Sequence, residues 1–119
     1  MQSDPIAVDA VVRNVLENAL AAVAPVGGGK VTLTARTVGD EIELAVRDSG
    51  IGFRASDQSQ LFRKFSRLNA GAGSSYYGTG LGLFIVQRLM QLTGGRVSAS
   101  SEGLGRGAEF LLHFPAVHA

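Results

Sequence analysis

The spacing of apolar residues alternates between two periods along this chain, and the order of these periods constrains the fold more than any other feature. Residues 8–23 repeat apolar side chains at helical spacing, which predicts a helix with one broad buried face. Residues 30–38 and 41–47 alternate between apolar and polar side chains, as half-buried strands do. Both patterns then recur, the helical one over residues 81–92 and the strand pattern over 96–100 and 108–114. This order predicts an α+β fold, a two-layer sandwich with helices on one face of a sheet.

Turn-forming residues bound these segments. Asp4-Pro5 predicts the start of the first helix, because aspartate accepts from the free amides of a first turn and proline suits the first helical position. Pro25 and the three glycines at 27–29 predict the end of that helix. Gly39-Asp40 predicts a two-residue hairpin turn between the first two strands.

Glycine is concentrated in the second half of the chain. Of 16 glycines in 119 residues, twelve lie between Gly50 and Gly107. The stretch from 48 to 80 is polar and glycine-rich, and a small apolar cluster inside it predicts a short helix near 58–68. A loop region of this length in a small domain usually has a function, often as a lid over a site.

Composition excludes several classes of function. The net charge is +1 without a long basic run, so nothing supports a nucleic-acid partner. The absence of cysteine excludes disulfides, thiol catalysis and thiolate metal sites. Two histidines are too few for a histidine-rich zinc site, and no apolar stretch approaches the ~20 residues of a membrane span. The chain is therefore expected to be one domain, residues 1–119, without direct membrane contact.

Asn14 and Asn18 are four residues apart on the first predicted helix, so both amides point to the same side. Amide oxygens can ligate Mg²⁺ while a phosphate supplies negative charge. Alone, the pair is more typical of two solvated helix asparagines, because asparagine is common and the spacing is weak evidence. Asparagine is, however, a poor helix former, so two of them inside an apolar helix call for a reason.

Asp48 ends a predicted strand and is followed by Gly50 and Gly52. A carboxylate at this place can accept a hydrogen bond from a ligand amino group, and the glycines would let that ligand lie against the backbone. The alternative is an ordinary turn at the end of a strand, for which aspartate and glycine are common.

Three glycines in five residues, Gly78, Gly80 and Gly82, open the second predicted helix. Free amides at a helix start attract anions, so this segment is a candidate phosphate site. It is neither a Rossmann fingerprint nor a Walker A loop, which needs a lysine after the last glycine. The alternative is a plain glycine-rich helix entry.

Basic and aromatic residues lie between the two glycine motifs. Phe62 and Phe65 could anchor a mobile segment, while Arg63, Lys64 and Arg67 face a polyphosphate. In isolation the same residues describe a short amphipathic helix with a solvated basic face.

Together these motifs resemble the catalytic, ATP-binding domain of sensor histidine kinases, within the wider group (GHKL, or Bergerat-fold, ATPases) that includes gyrase, the Hsp90 chaperones and MutL. The resemblance covers essentially the whole chain and keeps the order of the family. Its segments are the N box at 11–20, the G1 box at 48–52, the F box at 61–68, the G2 box at 78–83 and the last glycine motif at 105–110. It implies the fold of that family, a mixed five-stranded sheet with three helices on one face.

The resemblance implies a role for each motif. Asn18 would ligate Mg²⁺ with help from Asn14, and Asp48 would accept from the adenine amino group of ATP. Gly50 and Gly52 would shape the adenine pocket.

The resemblance also implies an ATP lid over about 53–77, anchored by Phe62 and Phe65, with Arg67 near the phosphates. The phosphates would meet the start of the second helix, largely through its backbone. The residues implied there are Gly78, Thr79, Gly80, Leu81 and Gly82.

Position 14 separates branches of this group. Hydrolytic members carry a glutamate there as a general base, whereas Asn14 cannot take a proton. The resemblance therefore favours phosphoryl transfer to a histidine over ATP hydrolysis, with catalysis by positioning and charge neutralisation. Asn14, Asn18 and Arg67 are the implied catalytic residues.

Two departures from the family pattern are expected to matter. Ala21 and Ala22 stand where many members carry a lysine and an aromatic residue, which bears on nucleotide affinity. No phosphoacceptor helix is recognisable, and His113 and His118 are expected to be structural or solvated. The chain is therefore expected to be one domain of a larger receptor kinase, with the acceptor histidine on a dimerisation domain before residue 1.

The implied partners are that dimerisation domain and a downstream response regulator, in the cytoplasm, including the cytoplasmic part of a membrane-bound sensor. Three alternatives stay open: an ATPase of the same superfamily, a serine kinase of the anti-sigma type, and a degenerate nucleotide-binding module that acts through partner contacts.

Overall fold

A computed structural model describes residues 5–27, 29–62 and 82–115 of the chain. Within these ranges the chain forms two α-helices, four strands and two 3₁₀ segments. The helices are α1 (Pro5–Val23) and α2 (Gly82–Leu92), and the strands are β1 (Val31–Val38), β2 (Glu41–Asp48), β3 (Arg96–Ser100) and β4 (Ala108–Pro115). The 3₁₀ segments are Ala24–Val26 and Ala55–Gln60. Among the described residues, no helix is long and apolar enough to cross a membrane.

The hairpin predicted at Gly39-Asp40 is confirmed. β1 and β2 pair antiparallel from Val38 opposite Glu41 to Val31 opposite Asp48. Gly39 has a φ of +59°, a backbone conformation that the turn needs and that glycine adopts without strain. The register carries Asp48 to the end of the hairpin that lies farthest from the turn.

The sheet has the strand order β1-β2-β4-β3, and all three pairings are antiparallel. The α+β class and the helix-on-sheet layering are therefore confirmed. The prediction of a mixed sheet with five strands and three helices is not: the described ranges hold four antiparallel strands and two α-helices. A fifth strand and a third helix would have to come from residues outside these ranges.

The core lies between the helices and one face of the sheet. Val11 and Val15 of α1 are fully buried, as are Val86 and Met90 of α2. Strand β4, in the middle of the sheet, alternates buried and half-buried residues along its whole length. This is the pattern that an interior antiparallel strand shows when only one face is covered. The sheet residues of the core include Val46, Ala99, Phe110, Leu112 and Phe114.

The other face of the sheet is polar. Arg36 on β1 pairs with Glu43 on β2 at 2.8 Å, and Glu43 also contacts His113 on β4 at 2.9 Å. Arg96 on β3 pairs with Glu41 on β2. Hydrogen bonds from Arg36 and then His113 hold the pKa of Glu43 below its ordinary value. These contacts join all four strands on this face, and they give His113 the structural role expected for it.

Strand β1 is more exposed than its alternating sequence indicates. Every residue after Val31 is exposed, and Leu33 keeps 48% of its surface accessible. The strand lies at the edge of the sheet, and α1 packs mainly against α2 and β2 rather than over β1. Alternation therefore predicted the strand correctly but could not show that the helices do not reach it.

The boundaries of the helices follow the predicted breakers. α1 begins at Pro5 and ends at Val23, where the 3₁₀ segment containing Pro25 takes over. α2 spans Gly82–Leu92, and residue 81 of the predicted 81–92 lies outside the described residues. The short helix predicted near 58–68 overlaps the 3₁₀ segment at residues 58–60. Residues 61–62 form a turn, and residues 63–68 lie outside the described ranges.

Candidate functional site

Asp48 is a buried acid at the end of β2. It is 4% exposed, and its pair in the register is Ala108 at the start of β4. The Gly50 amide donates to Oδ1 at 2.9 Å, whereas Oδ2 is buried without a hydrogen-bond partner among the described residues. Buried polar atoms rarely remain unpaired, so this oxygen marks a place where a donor from a ligand fits.

The carboxyl group of Asp48 also titrates abnormally. Burial raises its pKa above the ordinary value, and the backbone amides of Gly50 and Ala108 partly oppose the rise. Burial of a charge is costly unless the charge is paired. An N–H group of a ligand at Oδ2 would stabilise the ionised carboxylate through a hydrogen bond. The site therefore fits a neutral hydrogen-bond donor such as an amino group.

Asn18, on α1, is the second buried polar residue of the described ranges, after Asp48. It is 9% exposed, and its Nδ2 has no partner among the described residues. Asn14, one turn earlier, is half-buried and donates from Nδ2 to the Ala10 carbonyl of its own helix at 2.7 Å. Both asparagines therefore lie on the side of α1 that turns toward the interior, as their spacing predicted.

The end of α1 contacts the turn that follows Asp48. The Ile51 amide donates to the Ala22 carbonyl at 3.1 Å. A Cβ on Gly50 would lie closer to that carbonyl than the 3.0 Å that real Cβ contacts respect, so the approach requires glycine. Ala22 follows Asn18 by one helical turn. The contact therefore places Asp48 at one end of the stripe on α1 that carries the asparagines.

Gly52 lies on the opposite side of this turn, against the loop between β3 and β4. Its φ is +64°, and a Cβ there would be 2.8 Å from Ser101 Oγ and 2.9 Å from the Gly107 carbonyl oxygen. The amides of Gly105 and Gly107 donate to Ile51 and Gly50, at 2.7 Å and 3.1 Å. In the described structure both predicted pocket glycines thus allow backbone segments to pack closely around Asp48.

Sequence reasoning missed the contribution of the β3–β4 loop. In the sequence, residues 101–107 are only the connection between the predicted strands 96–100 and 108–114, and the family resemblance covers only the last part of that connection. Ser101 Oγ forms hydrogen bonds to both this loop and the turn after Asp48. A serine directly after a strand and before a glycine-rich turn was the available signal, but serine is too common in turns for that signal to stand alone.

The lid anchor is described only in part. Phe62 is half-buried, and its ring meets that of Phe110 edge-on, with 6.3 Å between centroids and 84° between planes. Gly82 is the first described residue of α2. The remaining predicted residues of the lid and phosphate segment lie outside the described residues: Phe65, Arg67, Gly78, Thr79, Gly80 and Leu81.

A separate cavity of about 390 Å³ borders Asp48 from the polar side of the sheet. Thr32 and Arg47 pair across the strands there, and alternation directs them away from the face that carries the Asp48 side chain. This cavity is therefore distinct from the predicted adenine pocket. Its lining residues are Lys30, Thr32, Arg47, Asp48, Ser49 and Arg106.

Comparison with known proteins places this site in a family. Residues 3–118 match the model of the histidine kinase-, DNA gyrase B- and HSP90-like ATPases. The chain is 36% identical over 115 residues to the alginate biosynthesis sensor protein KinB of Pseudomonas aeruginosa, covering 97% of this chain and 18% of KinB. It is 33% identical over 115 residues to the sensor histidine kinase RcsC of Escherichia coli K12, covering 97% of this chain and 12% of RcsC. The chain thus spans less than a fifth of the length of these relatives.

Solved structures agree with the sequence relatives. A mycobacterial sensor histidine kinase, MprB, superposes with a TM-score of 0.83 at 26% identity, over 95% of this chain and 74% of that one. Full-length ShkA in complex with AMPPNP superposes with a TM-score of 0.77 at 30% identity, over 95% of this chain and 22% of that one. The match over nearly the whole chain, together with these relatives, shows that the chain belongs to the histidine kinase-, DNA gyrase B- and HSP90-like ATPase family, as an ATP-binding catalytic domain of the sensor histidine kinase type.

Proposed function

We propose that this domain binds ATP with Mg²⁺ and positions the γ-phosphate for transfer to a histidine on a separate dimerisation domain. The observation that carries the proposal is that two buried polar atoms, Asp48 Oδ2 and Asn18 Nδ2, have no hydrogen-bond partner among the described residues. In a domain of this family, a buried acceptor and a buried donor that lack partners in the described part of the chain are best explained as groups that a nucleotide satisfies.

Asp48 is the proposed recognition group for adenine. Its Oδ1 is already occupied by the Gly50 amide, which orients the carboxylate and leaves Oδ2 as the acceptor for an exocyclic amino group. A purine with a carbonyl in place of that amino group would present an acceptor to an acceptor. This mismatch would leave both groups unpaired, so the site should prefer adenine over guanine.

Asn18 and Asn14 are the proposed ligands on the metal side. Amide oxygens are acceptable Mg²⁺ ligands when phosphates supply the charge. In both residues the ligand atom would be Oδ1, because the Nδ2 of Asn14 is bonded to the Ala10 carbonyl and the Nδ2 of Asn18 is a donor that fits a phosphate oxygen rather than the metal. Bound Mg²⁺ would neutralise charge on the phosphates.

The residue type at position 14 supports transfer rather than hydrolysis. A carboxamide has no proton-accepting group comparable to a carboxylate, so Asn14 cannot activate water as a general base. What remains for the protein is positioning and electrostatic stabilisation, which dominate phosphoryl transfer.

Ala22 also contributes to the fold. It is 1% exposed, and its backbone carbonyl accepts from the Ile51 amide in the turn after Asp48.

The roles of the lid and of the phosphate segment remain predictions. Arg67 would approach the phosphates, and the amides of 78–82 would bind them at the start of α2. The edge-on contact of Phe62 with Phe110 supports an anchor for the lid on the core, with Phe65 as its second anchor. A cytoplasmic location and a downstream response regulator complete the proposal, since two-component signalling is the common setting of this domain type.

Titration calorimetry with Mg·ADP tests the proposal. The wild-type domain should bind, and Asp48→Asn should weaken binding about 10- to 150-fold, the range for a hydrogen bond to a charged group. Asp9→Asn is the matched control, because Asp9 is exposed and its ion pair in the described part of the chain is with Arg13 on its own helix. Absence of binding to the wild-type domain at millimolar Mg·ADP would overturn the proposal.

Transfer itself needs an acceptor. The domain alone, with radiolabelled ATP, should acquire negligible label, whereas addition of the histidine-bearing domain of its own kinase should give acid-labile label on that added domain. Steady release of phosphate by the domain alone would instead support an ATPase.

A further inference from the structure

We propose that Ser101 is a positioning residue for the adenine end of this nucleotide site, joining the β3–β4 loop to the turn that follows Asp48. The inference rests on the proposed function, because it concerns how that pocket is held. Ser101 comes directly after β3 and is half-buried. None of the sequence motifs includes it.

The hydroxyl of Ser101 uses its full hydrogen-bonding capacity. It accepts from the Phe53 amide at 3.1 Å and from the Gly103 amide at 3.2 Å. It lies 2.6 Å from the Gly107 carbonyl oxygen and 3.2 Å from the Gly103 carbonyl oxygen. A hydroxyl has one proton and two lone pairs, so the shorter contact to Gly107 takes the proton and the two amides take the lone pairs.

These bonds connect two segments that enclose Asp48. Phe53 belongs to the turn after β2, and Gly107 immediately precedes β4. A Cβ on Gly107 would press against the Asp48 carbonyl, so the backbones of these two residues are already in contact. The single oxygen atom of Ser101 therefore connects Gly107, which contacts the Asp48 backbone, to Phe53 at the far end of the turn after Asp48.

Backbone hydrogen bonds from the β3–β4 loop hold the start of the turn after Asp48, and the Ser101 hydroxyl holds its end. The amides of Gly105 and Gly107 hold Ile51 and Gly50, near the start of the turn. The Phe53 amide, two residues farther on, is held by the Ser101 hydroxyl instead. Phe53 is 1% exposed and belongs to the core, so movement of its backbone would be transmitted to the pocket wall and to the packing beneath it.

The test compares Ser101→Ala with Ser100→Ala in titrations with Mg·ADP. Ser100 is the matched control, because it is adjacent, exposed and carries no hydrogen bond from its hydroxyl among the described residues. Ser101→Ala should weaken Mg·ADP binding about tenfold, the effect of one net hydrogen bond, while Ser100→Ala binds as the wild type does. Ser101→Thr keeps the hydroxyl and should bind within about threefold of the wild type.

A double-mutant cycle with Asp48→Asn separates positioning from general destabilisation. If Ser101 acts through the Asp48 pocket, the two losses of affinity are not additive, and Ser101→Ala costs little once Asp48 is neutralised. Additive losses, or unchanged affinity in folded Ser101→Ala, would overturn the inference while leaving the proposed function intact. Failure of the wild-type domain to bind Mg·ADP would instead overturn the proposed function.

Amide hydrogen exchange on the wild-type domain covers the case in which Ser101→Ala does not fold. The amides of Phe53 and Gly103, which donate to Ser101, should gain protection on addition of Mg·ADP, with the same apparent affinity as calorimetry reports. Exchange at both amides that does not respond to saturating Mg·ADP would refute the coupling of Ser101 to the site.

Discussion

Replacement of Gly52 by alanine should destabilise the domain far more than alanine at a comparable glycine elsewhere. Gly52 has a φ of +64°, and an added Cβ would lie 2.8 Å from Ser101 Oγ, 2.9 Å from the Gly107 carbonyl oxygen, and closer still to the Gly103 carbonyl oxygen. Two of these three atoms belong to backbone, which cannot rotate away as a side chain can.

The magnitude follows from two separate costs. The left-handed conformation costs an alanine about 1 kcal/mol, and forced overpacking of a close contact adds about 1–3 kcal/mol. The sum of about 2–4 kcal/mol is a large part of the roughly 5–15 kcal/mol that stabilises a domain. At roughly 4 °C per kcal/mol for a chain of this length, the melting temperature should fall by roughly 8–16 °C.

Gly39→Ala supplies the control for conformation without contact. Gly39 has nearly the same φ, +59°, but beyond its own chain neighbours no atom of the described residues lies within 4 Å of an added Cβ. It should therefore lose only about 1 kcal/mol. The entropy change of the unfolded chain is the same for both substitutions, so it cancels in their difference.

Urea unfolding followed by far-UV circular dichroism measures both variants, with equal m-values required for the comparison. A free energy of unfolding for Gly52→Ala equal to that of Gly39→Ala would refute the reasoning. It would mean that the β3–β4 loop does not close tightly on the turn after Asp48 in solution.

Two further predictions follow from burial. Because burial raises the pKa of Asp48, its ionisation destabilises the folded state: the wild type loses stability as the pH rises from the ordinary pKa through the raised one, and keeps that loss above it. Asp48→Asn should therefore unfold at a higher temperature than the wild type at neutral pH without nucleotide, and this advantage should vanish at strongly acidic pH. A difference in melting temperature that stays the same at both pH values would contradict the reasoning. Phe110→Ala should lower the free energy of unfolding by about 3–5 kcal/mol, because Phe110 is fully buried at the centre of the core, while Leu104→Ala, at an exposed loop position, changes it by less than about 0.5 kcal/mol in urea unfolding. Similar losses in these two variants would place the core elsewhere.

Local elements were predictable because their signals are local. The β1–β2 hairpin follows from alternation on both sides of Gly39-Asp40, and its register needs only the length of the turn. The end of α1 follows from the helix breakers after Val23. The position of Asp48 at a strand end was also predictable, since it required only the strand boundary.

Other properties depend on residues far apart in sequence. The exposure of Leu33 contradicts a simple alternation argument, because coverage of an edge strand depends on where the helix layer ends. The unpartnered oxygen of Asp48 depends on which amides reach it, and the Ser101 contacts depend on how a loop about 50 residues later folds back. Neither property has a signature in a short window of sequence.

The sequence by itself determined the order of helices and strands, the hairpin, the family motifs and the identity of the candidate groups Asn14, Asn18 and Asp48. Periodicity and turn chemistry act over a few residues, and the motifs are short, so both can be read directly. Tertiary structure alone decided that β4 inserts between β2 and β3, that the end of α1 contacts the turn after Asp48, and that the β3–β4 loop closes over the same turn. These arrangements arise from long-range backbone pairing and from the burial of polar atoms, whose free energies depend on surroundings that form only when the whole chain has folded.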